Sequence, residues 1–168
     1  MATYPRSFST NTPNKIALKR FNQWDQIDYM VAGSGTSIIP GHLIEMYKDT
    51  DNVLKWRPES SATSMAQCFV ALDFPEMGQT VGSATSVDSP YVPGDIVHAW
   101  GMPLGAGWWG LVASGQTINV GDMLQKAGDG TLKAATASTA AANVAHFIAE
   151  ETIGAVTVLT RCKARRVA

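Results

Sequence analysis

The stretch "GDMLQKAGDGTL", residues 121–132, sets three glycines and two aspartates between short apolar runs. It reads either as an ion-binding loop or as a place where the chain turns, and counting positions separates the two. With Asp122 first, the third and fifth positions of a calcium loop are Leu124 and Lys126. With Asp129 first, the twelfth is Ala140, where a bidentate glutamate is required. Both registers fail. "AGDGT" instead reads as a hairpin turn with Asp129 and Gly130 at the positions that favour positive φ, which makes "DMLQK" and "TLKAA" antiparallel partners.

The same small pattern occurs twice more. "IPGHLIEM" at 39–46, "VPGDIVHA" at 92–99 and "NVGDMLQK" at 119–126 each carry a turn glycine, a polar His or Asp, and an apolar pair that begins a strand. Glycine supplies a backbone conformation that other residues resist, and aspartate accepts hydrogen bonds from N–H groups of the turn. The spacing is too irregular for a solenoid. Around these turns the texture from Ile38 onward is that of an all-β domain of many short strands. The candidates are "HLIEMY", "VLKW", "QCFVALDF", "DIVHAW", "WWGLVA", "TINV", "DMLQK", "TLKAA", "AHFIAEE" and "AVTVLTRC". "TASTAAANVA" at 136–145 has helix-forming alanines, with enough Ser, Thr and Asn to make a loop with one helical turn an equal alternative.

Ahead of the body, residues 1–15 are polar, hold Pro5 and Pro13 and show neither period, so they read as an extended arm. "KIALKRFNQWDQIDYMV" mixes both periods and is open to a short helix or an irregular docking segment, and "AGSGTS" at 32–37 reads as a flexible hinge. The expected division is therefore an arm and docking segment over 1–36 and a β domain with a basic C-terminal tail over 37–168.

The chain of 168 residues has a net charge of −1, which hides a segregation. Arg6, Lys15, Lys19 and Arg20 stand without an acid in residues 1–20, as do Arg161, Lys163, Arg165 and Arg166 in residues 161–168. The body between them holds five bases against all fourteen acids. Basic ends on an acidic body suit solubilising tails or docking onto an acidic surface, another copy's body included. They do not favour nucleic acid, since the body repels phosphate. Cys68 and Cys162 form no CxxC pair and read as buried thiols of a reducing compartment. The N-terminus lacks the apolar core of a signal peptide and no run of eighteen apolar residues occurs, so a soluble protein with no membrane partner is expected.

Catalytic signatures are thin. "GAGWWG" at 105–110 is a literal GxGxxG, but tryptophans fill its variable positions and strand follows it instead of a helix that would hold pyrophosphate. Trp108 and Trp109 are expected to alternate faces, one toward the core and one outward. His42, His98 and His146 sit singly in apolar runs, where a hydrogen-bonded strand histidine is the commoner role. Glu150 and Glu151 are neighbours that point to opposite faces of a strand and make no acid–base pair. No catalytic residue, cofactor or metal site is assigned, and the chain is not expected to be an enzyme.

The order of features carries a resemblance. A β body opens with "IIPGHLIEMY" and continues through "DSPYVPGDIVHAWGMPLGAGWWGLVASGQTINVGDMLQKAGDGTLKAA". An alanine-rich stretch follows, and the chain closes with "HFIAEETIGAVTVLTRC". Over roughly residues 38–161 this resembles the capsid decoration, or head-cement, proteins of tailed bacteriophages, with their "YVPGDIVHAW"-like run, "GDGTL" hairpin and "IAEET" before a closing strand. The resemblance implies a β-tulip-like body and a place on the outside of a mature icosahedral head. There the protein would clamp major capsid subunits against the pressure of packaged DNA, often as a homotrimer, with dimers also found. On that reading Arg6, Phe8, Lys15, Lys19, Arg20 and Phe21 are contact candidates in the arm, Trp24 a possible anchor, and Trp108 and Trp109 candidates on the body. A rival reading is a small β-barrel module that binds a ligand or carbohydrate through "GMPLGAGWWG", residues 101–110, with tryptophans stacked on a ring.

Overall fold

Alternation of apolar residues on two faces organises the fold. The computed structural model describes residues 26–63, 68–73, 89–136 and 146–168, and within them every regular element is a strand. In chain order they are β1 (Gln26–Val31), β2 (Leu43–Lys48), β3 (Leu54–Pro58), β4 (Phe69–Ala71), β5 (Ile96–Gly101) and β6 (Gly107–Val112). There follow β7 (Thr117–Ile118), β8 (Met123–Lys126), β9 (Leu132–Ala134), β10 (Phe147–Ala149), β11 (Gly154–Ala155) and β12 (Thr160–Arg166). The all-β expectation holds. The alanine-rich segment over 137–145 lies outside the described residues.

Five strands form one sheet in the order β1-β5-β4-β2-β3. Its residues divide by parity between two cores. Ile44, Phe69, Ala71, Val97 and Ala99 join one cluster, while Leu43, Cys68, Val70, Leu72, Trp100 and Met102 join the other. The sheet curls on itself. A parallel bridge between Ala32 and Trp56, with Gly33 N–H donating to Trp56 O at 2.9 Å, brings the chain after β1 against β3 at the far edge. Inside the curl, Trp56 meets Phe69 at 5.0 Å between ring centroids, with Ile38 and Tyr91 beside them in the same cluster.

The remaining long strands close a small barrel, β10-β12-β6-β9-β8. All its ladders are antiparallel except β6 with β9, which meet in parallel at Val112 and Leu132. Trp108 packs edge-on against Phe147 at 5.0 Å, and Gly110 leaves no room for more. A Cβ there would stand 2.8 Å from Leu132 Cδ1 and 3.1 Å from the Trp108 ring. Barrel residues and one face of the curled sheet share the larger core. β7 and β11 stand apart as a two-stranded ribbon.

Two expectations are corrected here. The segment before residue 32 is neither a helix nor irregular where it is described: Gln26–Val31 pairs residue for residue with β5. "AGSGTS" is a pinned turn and not a flexible hinge, because Asp49 accepts from Ser34 N–H at 3.1 Å and Ser34 Oγ at 2.7 Å. The ladder was hidden because a strand's partner, 70 residues away, leaves no mark in local periodicity.

Candidate functional site

The three related sequences fold into one device. In each, the N–H of the fourth residue donates to the carbonyl of the first: His42 to Ile39 at 2.9 Å, Asp95 to Val92 at 3.0 Å, Asp122 to Asn119 at 3.1 Å. The glycine at the third position has φ of 98° at Gly41, 94° at Gly94 and 88° at Gly121, the type II arrangement that L side chains resist. The polar side chain then reaches back. Asp95 accepts from Val92 N–H at 2.9 Å, Asp122 from Asn119 N–H at 2.7 Å, and His42 Nδ1 from Ile39 N–H at 3.1 Å. These are the bonds expected of the aspartates, and the histidine fills the same role.

Each turn is also locked to another strand or bridge by a reciprocal pair of backbone bonds. Gly41 N–H donates to Ala71 O and Ala71 N–H to His42 O; Ala32 serves Gly94 and Asp95, and Ala149 serves Gly121 and Asp122, in the same way. Two further glycines that the sequence reading did not group with these do likewise. Arg166 locks Gly105 and Ala106 at 2.8 and 2.9 Å, and Val156 locks Gly115 and Gln116 at 2.7 Å each. The cue was present as a glycine ahead of a strand, in "PLGA" and "ASGQ", without the Pro directly before the glycine or the His or Asp directly after it that made the other three visible.

The hairpin of residues 121–132 is as expected in pairing, with Leu124 opposite Ala134 and Lys126 opposite Leu132. Its turn differs in one residue. The positive φ falls on Gly128 and Gly130, at 96° and 82°, and not on Asp129. Asp129 instead accepts from Thr131 N–H at 3.0 Å and from the Thr131 hydroxyl. The hairpin tip is wedged into the curled sheet, since Gly130 O accepts from Leu43 N–H and Gly130 N–H donates to Glu59 O.

Trp108 and Trp109 do not divide between core and outside. Both lie in β6 and in the larger core, at 0% and 8% exposure. Neither ring is presented for stacking on a sugar or for contact with a partner, because the outer face of β6 is covered as well as the inner. The expected outward-facing tryptophan is therefore not found: both rings belong to the larger core. Arg6, Phe8, Lys15, Lys19, Arg20, Phe21 and Trp24 lie outside the described residues.

The basic C-terminal stretch is a strand, not a tail. Arg161 is buried and donates to Pro40 O at 3.2 Å. Lys163 lies 3.4 Å from Glu150, Arg165 pairs with the same carboxylate, and Arg166 bonds to Met102 O. Glu150 and Glu151 stand just past β10 and both serve β12, Glu151 by accepting from Lys163 N–H at 2.8 Å. The three histidines are buried, and burial lowers the pKa of each, that of His42 to about 4. Burial raises both free thiols, Cys162 up to about 12, so neither is a ready nucleophile.

The sequence reading missed the ion pair between Lys126 and Glu59, 3.1 Å apart and 1% and 2% exposed, which joins the barrel to the curled sheet. Among the described residues, no three His, Cys, Asp or Glu side chains come together as a metal group, and no helix is long and apolar enough to cross a membrane.

No protein-family model matches the chain, and no curated protein matches it in sequence. Among solved structures it is similar to the head fiber gp8.5 N base of bacteriophage phi29, with 17% sequence identity and a TM-score of 0.43, over 85% of this chain and 98% of that one.

Proposed function

We propose that this protein is a structural component of a phage virion. In this reading it is a capsid decoration protein that sits on the exterior of an icosahedral head and bridges major capsid subunits, as a homotrimer. The observation that carries the reading is how the residues of the head-cement-like motifs are used. "YVPGDIVHAW", the "GDGTL" hairpin and "IAEET" supply turns, strands and clamping bonds of a single body. Their aspartates and glutamates are engaged in holding backbone and paired charge. With these groups tied into the scaffold, recognition on this reading falls to the surface of the body and to the arm. The arm adds four bases without an acid in its first twenty residues, charge suited to an acidic capsid or sister surface.

The test is attachment. Removing residues 1–20 is expected to leave the body folded, by circular dichroism and melting temperature, while lowering occupancy on DNA-filled heads in co-sedimentation by about tenfold or more. Full-length protein that never sediments with heads overturns the virion reading. Unchanged occupancy after truncation removes the arm from the contact.

A further inference from the structure

Among the described residues, the β7–β11 ribbon differs from the exposed edge at β3. It is a two-stranded sheet, and among the described residues no further strand pairs with the outer edge of either member. It is not a loose loop. Gly115 and Gln116 are locked to Val156, Ile153 N–H donates to Ile118 O at 3.1 Å, and Val120 N–H donates to the Thr152 hydroxyl at 2.9 Å. Ser114 Oγ donates to Thr157 O at 2.9 Å.

Free edges invite pairing with another chain, and proteins guard them with charge and proline. The edge strand β3 is guarded in that way, by Lys55, Arg57 and Pro58, with the charges tied to Asp49, Asp51 and Glu45. The ribbon is not. Residues 113–121 and 152–159 contain no Asp, Glu, Lys, Arg or Pro. Of the charges that border them, Asp122 is engaged in place by the Asn119 N–H, while Glu150 and Glu151 are engaged with β12 and Arg161 with Pro40. The lobe also exposes Val120 at 64% and Val158 at 44%.

We propose that this lobe is the face through which copies of the chain meet, the free edge of β7 in one copy pairing with the free edge of β11 in the next. The occupant is a second copy for two reasons. One ribbon offers two different open edges, which is what a head-to-tail contact needs to close a ring. In a closed ring the same contact recurs at every junction, so charge carried by the lobe would gather around the axis, and a lobe without charge avoids that penalty. The proposal rests on the reading of the protein as a homo-oligomer and names the surface that serves it.

The experiment measures the mass of the full chain by sedimentation equilibrium, without capsids. Wild type and Leu104→Asp are expected to assemble alike, since Leu104 lies before β6, at the end of that strand away from the ribbon. Val120→Asp and Val158→Asp are expected to weaken assembly by about tenfold or more toward the single-chain 17.9 kDa. Mixing Thr117→Cys chains with Ala155→Cys chains should give cross-linked dimers beyond those of either alone, the native cysteines being buried. A wild type at single-chain mass at every concentration, unaltered assembly of both Asp variants, or no gain in cross-linking on mixing overturns the proposal. Assembly through the ribbon without head binding would sink only the virion reading, and head binding by a monomeric chain only this one.

Discussion

His42 fills a place that aspartate fills in the two sister turns, and it alone among the three is titratable near neutrality. Its Nδ1 must stay unprotonated to accept the Ile39 N–H. Burial is the main reason its pKa falls from 6.5 to about 4, Asp129 opposing and Arg161 assisting. The folded state therefore binds fewer protons than the unfolded chain, and stability is full above pH 6.5. It declines as pH falls toward 4 by roughly 3 kcal/mol from this residue, with His98 and His146 adding in the same direction. His42→Asn keeps an acceptor and removes the proton, so urea midpoints measured between pH 6.5 and 4 should fall less steeply than in wild type. An identical slope would remove His42 from the account.

Turns are the elements that the sequence disclosed best, because a glycine with Pro before it or Asp after it states its conformation locally. Strand partners were disclosed less well. Most candidate strands are present, yet the sequence leaves β1 between helix and irregular chain and shows β12 as a strand only as far as Cys162, with a charged tail beyond. In β12 the charges mislead. Arg161 is covered, Lys163 and Arg165 share Glu150, and a run of four bases looks solvated until its acid, more than ten residues away, is in place. The tryptophan pair misleads for a related reason: strand alternation assigns one of the two to the second face but does not say whether another layer covers that face. The turns can be ranked by substitution. Gly121→Ala meets open space and should cost about 1–2 kcal/mol, from positive φ alone. Gly130→Ala adds a Cβ 2.9 Å from Pro58 Cβ and 3.0 Å from Leu43 O, both in the curled sheet. It should lower the melting temperature by more than twice as much as Gly121→Ala, and equal losses would count against the wedge.

At the level of the whole molecule, the curled sheet and the barrel behave as one unit if the contacts between them are strong enough. Those contacts are the shared core, the Gly130 wedge, the Arg161–Pro40 bond and the buried Lys126–Glu59 pair. Lys126→Met leaves a buried carboxylate uncompensated and should cost about 3–5 kcal/mol. The double change Lys126→Met with Glu59→Leu should recover most of that loss and keep a single unfolding transition by calorimetry. Two separate transitions in wild type would contradict the single unit. The position of β12 also bears on how the protein is made. The five-stranded sheet has all its strands once Gly101 is synthesised, whereas the barrel draws its central strand from Thr160–Arg166. Until the ribosome has delivered that segment, β6 and β10 each lack a neighbour and Trp108 lacks a finished enclosure. Nascent chains must therefore carry an open, apolar barrel side for the time taken to translate about sixty residues, at ~5–20 residues per second. Assembly with other copies before that point would trap unfinished barrels, so this interval is when the chain exposes the apolar surface that closure of the barrel later covers.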